Sequence, residues 1–314
     1  TLTDCRTAYG MALLDLAELN ENIIAATADL GHSVMTKFVQ EKFPKRGLEI
    51  GIAEQEMVSM AGGLSLSGKI PFVSTFGVFI TSRAKDQARV NDINLANVKM
   101  VVTHCGLSVG EDGPTHQAID DSGSMLGLFN TLPIEAIDPN QCDRVIRYIA
   151  TTYGNFYVRM GRHKFPIITD IDGQPFYKED YIYSPGKTDI IREGKDLTVV
   201  ASGPMVHEAL IAWEELNKVG YSIEIVAISS IRKFDDNLIN SIKKTGKVIT
   251  MEDHNPYNGL YTAVTRQIAE AGIAVRILKS LAVTEYQFSG KAEELYKQAG
   301  ISASSLIELV KQLK

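Results

Sequence analysis

The sequence predicts an α/β protein of two domains, each a mostly parallel sheet flanked by helices. Three observations lead there. Short apolar runs alternate with amphipathic stretches at the close spacing of parallel strand–helix–strand units. The rhythm stops between positions 162 and 195, where Pro166, Pro175, Pro185 and clustered charge collect, and then resumes. The length of 314 residues suits one large or two ordinary domains.

Residues 1–163 form the first expected domain. Its strands are short apolar runs at 23–27, 48–50, 71–76, 99–104, 134–137 and 156–158. Its helices fall at 8–19, 54–66, 81–91 and 141–153; in the last, Val145, Ile149 and Tyr153 recur at helical spacing. Residues 164–187 read as a linker with room for a short strand. The second domain, 188–314, carries strands at 197–201, 223–227, 248–251 and 274–278. Its helices are expected at 205–219, 235–243, 257–271 and 302–313, with Trp213 as core or packing surface.

Composition excludes several classes. Hydrophobic residues at 45% and charged residues at 22% are the balance of a soluble globular chain. The net charge of −6 is built from interspersed signs with no basic run, which argues against nucleic acid as a partner. No apolar stretch approaches the ~20 residues that cross a bilayer, so no membrane is expected. The opening TLTDCRTAYG does not read as a secretion signal. Three widely spaced cysteines, Cys5, Cys105 and Cys142, form neither a zinc set nor a disulfide framework and suit a cytoplasmic location.

Residues of catalytic type crowd three strand ends of the first domain, where parallel sheets place their ligands. Glu54, in GIAEQEM, opens a helix. It reads either as an acidic first-turn residue favoured by the helix dipole or as a carboxyl poised for proton exchange, which requires burial. Gly62-Gly63 inside that helix suggests close backbone approach. Phe76 and Phe79, in STFGVF, are either core or a flat wall for a heteroaromatic ring. The third cluster, THCGLSVGEDGPTHQ over 103–117, brings His104, Glu111, Asp112 and His116 onto a loop stiffened by Pro114. Imidazoles and carboxylates are costly to bury unpaired, and the spacing fits no standard zinc pattern. It fits a pocket for a polyhydroxylated or phosphorylated substrate. Arg159 and Arg162 follow a strand and are either anion clamps or surface residues at a domain border.

Together, GIAEQEM, STFGVF and the 103–117 stretch resemble the transketolase family of thiamine diphosphate enzymes, over essentially the whole chain. The fold so implied is a thiamine diphosphate pyrimidine-binding domain followed by a transketolase C-terminal-like domain. The resemblance implies that Glu54 hydrogen-bonds a pyrimidine nitrogen of the cofactor and favours the imino tautomer, whose nitrogen deprotonates the thiazolium carbon. Phe79 looks like the ring stacked on the aminopyrimidine, with Phe76 beside it and Asp29 nearby. His116 resembles the histidine at the oxygen of the transferred two-carbon unit, and Asp112 the aspartate that reads the adjacent hydroxyl. Arg6, Ser33, His104 and Arg162 resemble the sugar-phosphate clamp, Arg162 being favoured over Arg159. Ser82 stands where the family often has a tyrosine.

The family's GDG motif, which with a divalent metal holds the diphosphate, does not occur in this sequence. The resemblance therefore implies half an enzyme. An N-terminal transketolase subunit would bring the GDG motif and the metal, magnesium or calcium, with two copies of each chain and sugar phosphates as substrates. His254, in MEDHN, is reminiscent of related thiamine enzymes but reads better as a loop residue at an interface. No catalysis is assigned to the second domain. The alternatives are a deoxyxylulose-phosphate synthase-like half, a 2-oxo acid dehydrogenase β-subunit-like half, or a non-catalytic binding relative. GEDGPTHQ, with His104 seven residues before Glu111, favours transketolase.

Overall fold

The computed structural model describes residues 2–313. In the first domain the strands are β1 (Leu2–Thr3), β2 (Ile23–Thr27), β3 (Gly47–Glu49), β4 (Ile70–Ser74), β5 (Lys99–Val102), β6 (Thr131–Glu135) and β7 (Asn155–Arg159). Six of them form one sheet in the order β3-β2-β4-β5-β7-β6, every pair parallel. Both faces are covered, and the two-residue alternation shows it. Phe72, Val101, Phe156 and Val158 point toward helices Cys5–Leu19 and Pro139–Thr151, whereas Val73, Met100, Val102 and Tyr157 point toward helix Glu54–Leu66.

The second sheet contains β9 (Thr188–Arg192), β10 (Leu197–Ala201), β11 (Ile223–Ile228), β12 (Lys247–Met251) and β13 (Ile277–Leu281). Its order is β13-β12-β10-β11-β9, parallel except for the antiparallel edge strand β9. Helices Met205–Lys218 and Ala303–Gln312 cover one face, Asp236–Thr245 and Leu260–Glu270 the other. Between the sheets the chain is ordered: β8 (Phe165–Pro166) pairs with β1, and Ile168, Tyr177 and Tyr183 are buried.

Four local expectations are corrected. The helix expected at 81–91 is two helices, Gly77–Arg83 and Lys85–Ile93, that meet at Ala84 (φ −105°, ψ 16°). The strand expected at 274–278 begins at Ile277, once the Arg276 amide has bonded the Gly246 carbonyl at 2.8 Å. Of the glycine pair, only Gly62 is in a close approach: a Cβ there would lie 2.1 Å from Asn91 Oδ1, whereas Gly63 faces open space. The 107–117 stretch is not an open loop. It winds into 3-10 turns at Leu107–Asp112 and Pro114–His116, which carry no apolar period to read.

Candidate cofactor and substrate site

Because the first sheet is parallel, five segments leave it at one carboxyl edge: Asp29 and Ser33 after β2, Glu54 after β3, Phe76 and Phe79 after β4, His104 through His116 after β5, and Arg162 after β7. At the centre is an aromatic group. Phe76 stacks on His104 with centroids 3.8 Å apart and lies parallel to Phe79 at 5.6 Å. His116 meets Phe79 edge-on at 5.4 Å and Phe76 at 6.1 Å.

His104 is buried at φ 60°, a left-handed backbone that is uncommon for a residue with a Cβ. Its Nδ1 lies 2.7 Å from the Thr103 hydroxyl. Burial pushes the imidazole down to about 3, with Arg6, Arg162 and His116 acting in the same direction. It is therefore a neutral hydrogen-bonding group at ordinary pH. His116 is half-buried, its Nδ1 2.9 Å from Thr115 Oγ1.

The two arginines have different surroundings. Arg159 is buried and bonded to Asp121 at 2.8 Å, to Glu135, and to the carbonyls of Ala118 and Asp253, both at 3.2 Å. No part of it reaches a ligand at the rim. Arg162 is part-exposed; its Nη1 bonds the Val109 carbonyl at 2.9 Å and lies 3.5 Å from Glu111 and 3.8 Å from Asp112. Arg6, a second cation beside His104, donates to the Ser33 carbonyl at 3.2 Å. Asp29 also has a left-handed backbone, φ 59°, and its amide donates to Glu49 Oε1 at 2.6 Å. It opens with Ser33 onto a cleft of about 380 Å³.

Glu54 has the burial that proton exchange requires. Its carboxylate is buried, but the neighbour is charged, not apolar: Arg83 Nη1 bonds Oε1 at 2.7 Å. The same guanidinium lies over Phe79, its carbon 4.3 Å from the ring centroid. Sequence reasoning passed over Arg83. It stands four residues after Phe79 on the helix Gly77–Arg83, a spacing that the helix expected at 81–91 hides.

The second domain also supports the site. Asp253, just after β12, accepts from the Leu107 amide at 2.8 Å and from the Tyr296 hydroxyl at 3.0 Å. Gln117 and Gln287 exchange two bonds, at 2.9 and 3.0 Å. His254 is buried between the domains, 3.8 Å from Asp121. Among the described residues no three His, Cys, Asp or Glu side chains group as metal ligands.

This architecture is that of a two-domain α/β protein, a parallel sheet with an aromatic and carboxylate rim at its carboxyl edge buttressed by a second α/β domain. Two family models match: Transketolase, pyrimidine binding domain, over residues 3–167, and Transketolase, C-terminal domain, over 186–306. The chain belongs to the transketolase family. It is 37% identical over 97% of its length, and 94% of the relative's, to a Methanocaldococcus jannaschii protein named as a transketolase C-terminal section. It is 34% identical to mouse (Mus musculus) transketolase, where 98% of this chain covers 48% of the relative; the chain thus spans about half the length of that enzyme. Among solved structures it resembles a split-gene transketolase described as an inactive β4 tetramer, with TM-score 0.88, 32% identity, and 98% and 97% of the two chains covered.

Proposed function

We propose that this chain is the C-terminal subunit of a split transketolase and, with thiamine diphosphate, transfers a two-carbon ketol group from a ketose phosphate to an aldose phosphate. The observation that carries the reading is the meeting of Phe76, Phe79, His104 and His116 on the rim that also holds Glu54. The cofactor's aminopyrimidine fits the chemistry present, because a flat cationic donor, the Arg83 guanidinium, already lies on Glu54 and over Phe79. When bound, thiamine diphosphate supplies a carbon nucleophile and an electron sink. Glu54 holds a ring nitrogen, Phe79 stacks on the ring with Phe76 behind it, and Asp29 borders the cofactor. His116 hydrogen-bonds the oxygen of the transferred unit, and Asp112 reads the neighbouring hydroxyl.

Arg6 and Arg162, with Ser33 and neutral His104, hold the sugar phosphate, the two guanidinium groups carrying the charge complementarity. The diphosphate and its magnesium or calcium sit on an N-terminal subunit bearing the GDG motif, and two copies of each chain assemble in the cytoplasm. The inactivity of the β4 relative accords with a chain that carries part of a site.

The test is ketol transfer from xylulose 5-phosphate to ribose 5-phosphate, with thiamine diphosphate and magnesium. It compares the chain alone with the chain co-expressed with a GDG-bearing partner. Turnover in the pair only is expected; turnover by the chain alone overturns the half-site reading, and release of carbon dioxide from pyruvate points to the synthase-like alternative. Glu54→Ala in the pair should lower turnover about 10²–10⁴-fold with assembly intact by size-exclusion chromatography.

A further inference from the structure

We propose that Arg83 holds the place of the cofactor's aminopyrimidine in the free chain and must release both Glu54 and the face of Phe79 before the cofactor can bind. The inference rests on the reading above, in which Glu54 and Phe79 hold that ring. Two contacts made by one side chain point to it. Nη1 sits 2.7 Å from Glu54 Oε1, and the guanidinium carbon lies 4.3 Å from the Phe79 centroid. An aminopyrimidine occupies the same pair of places: a ring nitrogen hydrogen-bonded to the carboxyl along one edge, accepting from the protonated acid or donating once the ring nitrogen carries a proton, and a π-face against a phenyl ring. Two flat groups cannot share that volume.

The neighbours of Phe79 show which group is able to leave. Phe76 is buried and stacked on His104, and His116 meets Phe79 only edge-on, at 5.4 Å. Arg83, by contrast, ends the helix Gly77–Arg83 with its side chain 50% exposed, at the edge of an open cleft of about 800 Å³ that also reaches Ile52 and Ser82. The main chain pivots at Ala84 directly after it, and Gln55 Nε2 holds the Arg83 carbonyl at 3.1 Å, so the side chain can swing while its backbone stays fixed.

A physical need explains the arrangement. The Glu54 side chain is 5% exposed, and a carboxylate buried without a partner is costly. Arg83 satisfies it until the ligand arrives. Since the Arg83 side chain is half open to water, its grip is modest and screened by salt. Competition of this kind lowers apparent affinity by the fraction of chains in which the site is free.

The experiment is a calorimetric titration of thiamine diphosphate into the assembled complex, in wild type, Arg83→Met and Arg83→Gln. Removing the competitor should tighten binding about 2- to 5-fold, and the advantage should shrink as salt is raised. Equal or weaker binding in both variants overturns the proposal, weaker binding marking Arg83 as a cofactor ligand instead. Glu54→Gln separates the two readings: if it binds like wild type, the assignment of Glu54 to the cofactor is what fails. The free chain gives a second measurement that needs no partner. Thermal unfolding of Arg83→Met, Glu54→Gln and the double variant should show losses smaller together than their sum, whereas additive losses mean that the pair is not coupled and the proposal falls.

Discussion

His104 shows how much of the site is governed by single-residue environment. Its ring is packed on Phe76 and shares its surroundings with two guanidinium groups, so the charged imidazolium is disfavoured by burial and by like charge together. The folded-state value of about 3 lies below the ordinary 6.5 of the unfolded chain. Between these limits the unfolded chain binds the proton and the folded chain does not, so stability falls as pH drops from 6.5 toward 3. Going from about pH 7.5 to about pH 5, this residue alone removes about 2 kcal/mol. His104→Gln should therefore be the less stable protein at the higher pH and close most of the gap at the lower one, measured by urea unfolding. Parallel pH profiles would show that His104 titrates as an ordinary histidine. The residue was legible in the sequence because imidazoles and carboxylates are too costly to crowd into a plain loop. Arg83 was not: the helix expected at 81–91 leaves Phe79 outside it, so the sequence pattern does not put the two on one helix face.

At the level of the element, helix Gly77–Arg83 sets where Phe79 and Arg83 stand. It can approach the sheet edge because Gly77 has no side chain: a Cβ there would lie 2.5 Å from Cys105 Sγ and 3.1 Å from Ala118 Cβ. Alanine gains up to ~1 kcal/mol of helix propensity over glycine, but overpacking of this kind costs about 1–3 kcal/mol. Gly77→Ala should thus be destabilising in thermal or urea unfolding and should weaken cofactor binding by moving Phe79. A variant as stable as wild type would mean that the helix has room to shift. The elements that periodicity located well are those with a single unambiguous environment. Strand Ile23–Thr27 and strand Leu197–Ala201 are buried along their whole length and were read to the residue. Helix Glu54–Leu66 was read equally well. Strand Ile277–Leu281 is an edge strand, half-buried, and its weaker pattern displaced the reading by three residues. The break at Ala84 has neither glycine nor proline to announce it, because it is made by tertiary contacts: Gln55 takes the Arg83 carbonyl from the next element.

Across the whole molecule, the second domain holds the 107–117 loop of the first. Leu107 and Ile119 flank that loop and are buried in the same apolar cluster as Val199, Ile225 and Met251 of the second sheet. Asp253 fastens the near end through the Leu107 amide, and the Gln117–Gln287 pair fastens the far end. None of this was readable from the chain, since contacts spanning 146 and 170 residues leave no local trace. It gives the second domain a structural role: it fixes Asp112 and His116 relative to the aromatic rim. Asp253→Ala tests that coupling. It leaves the Leu107 amide and the Tyr296 hydroxyl buried without their partner, a loss of about 1–3 kcal/mol for each group. Hydrogen exchange should then accelerate over residues 105–118 and around 287–296, while the central strands of both sheets keep their protection. In the assembled enzyme the KM for sugar phosphate should rise with cofactor affinity little changed, because the proposed substrate contacts, Asp112 and His116, lie on the loop and the Glu54–Phe79 edge has no bond to Asp253. Exchange that accelerates evenly through both sheets would instead make Asp253 a plain stability residue. Exchange that does not change at all would mean that the apolar cluster around Leu107 and Ile119 holds the loop unaided.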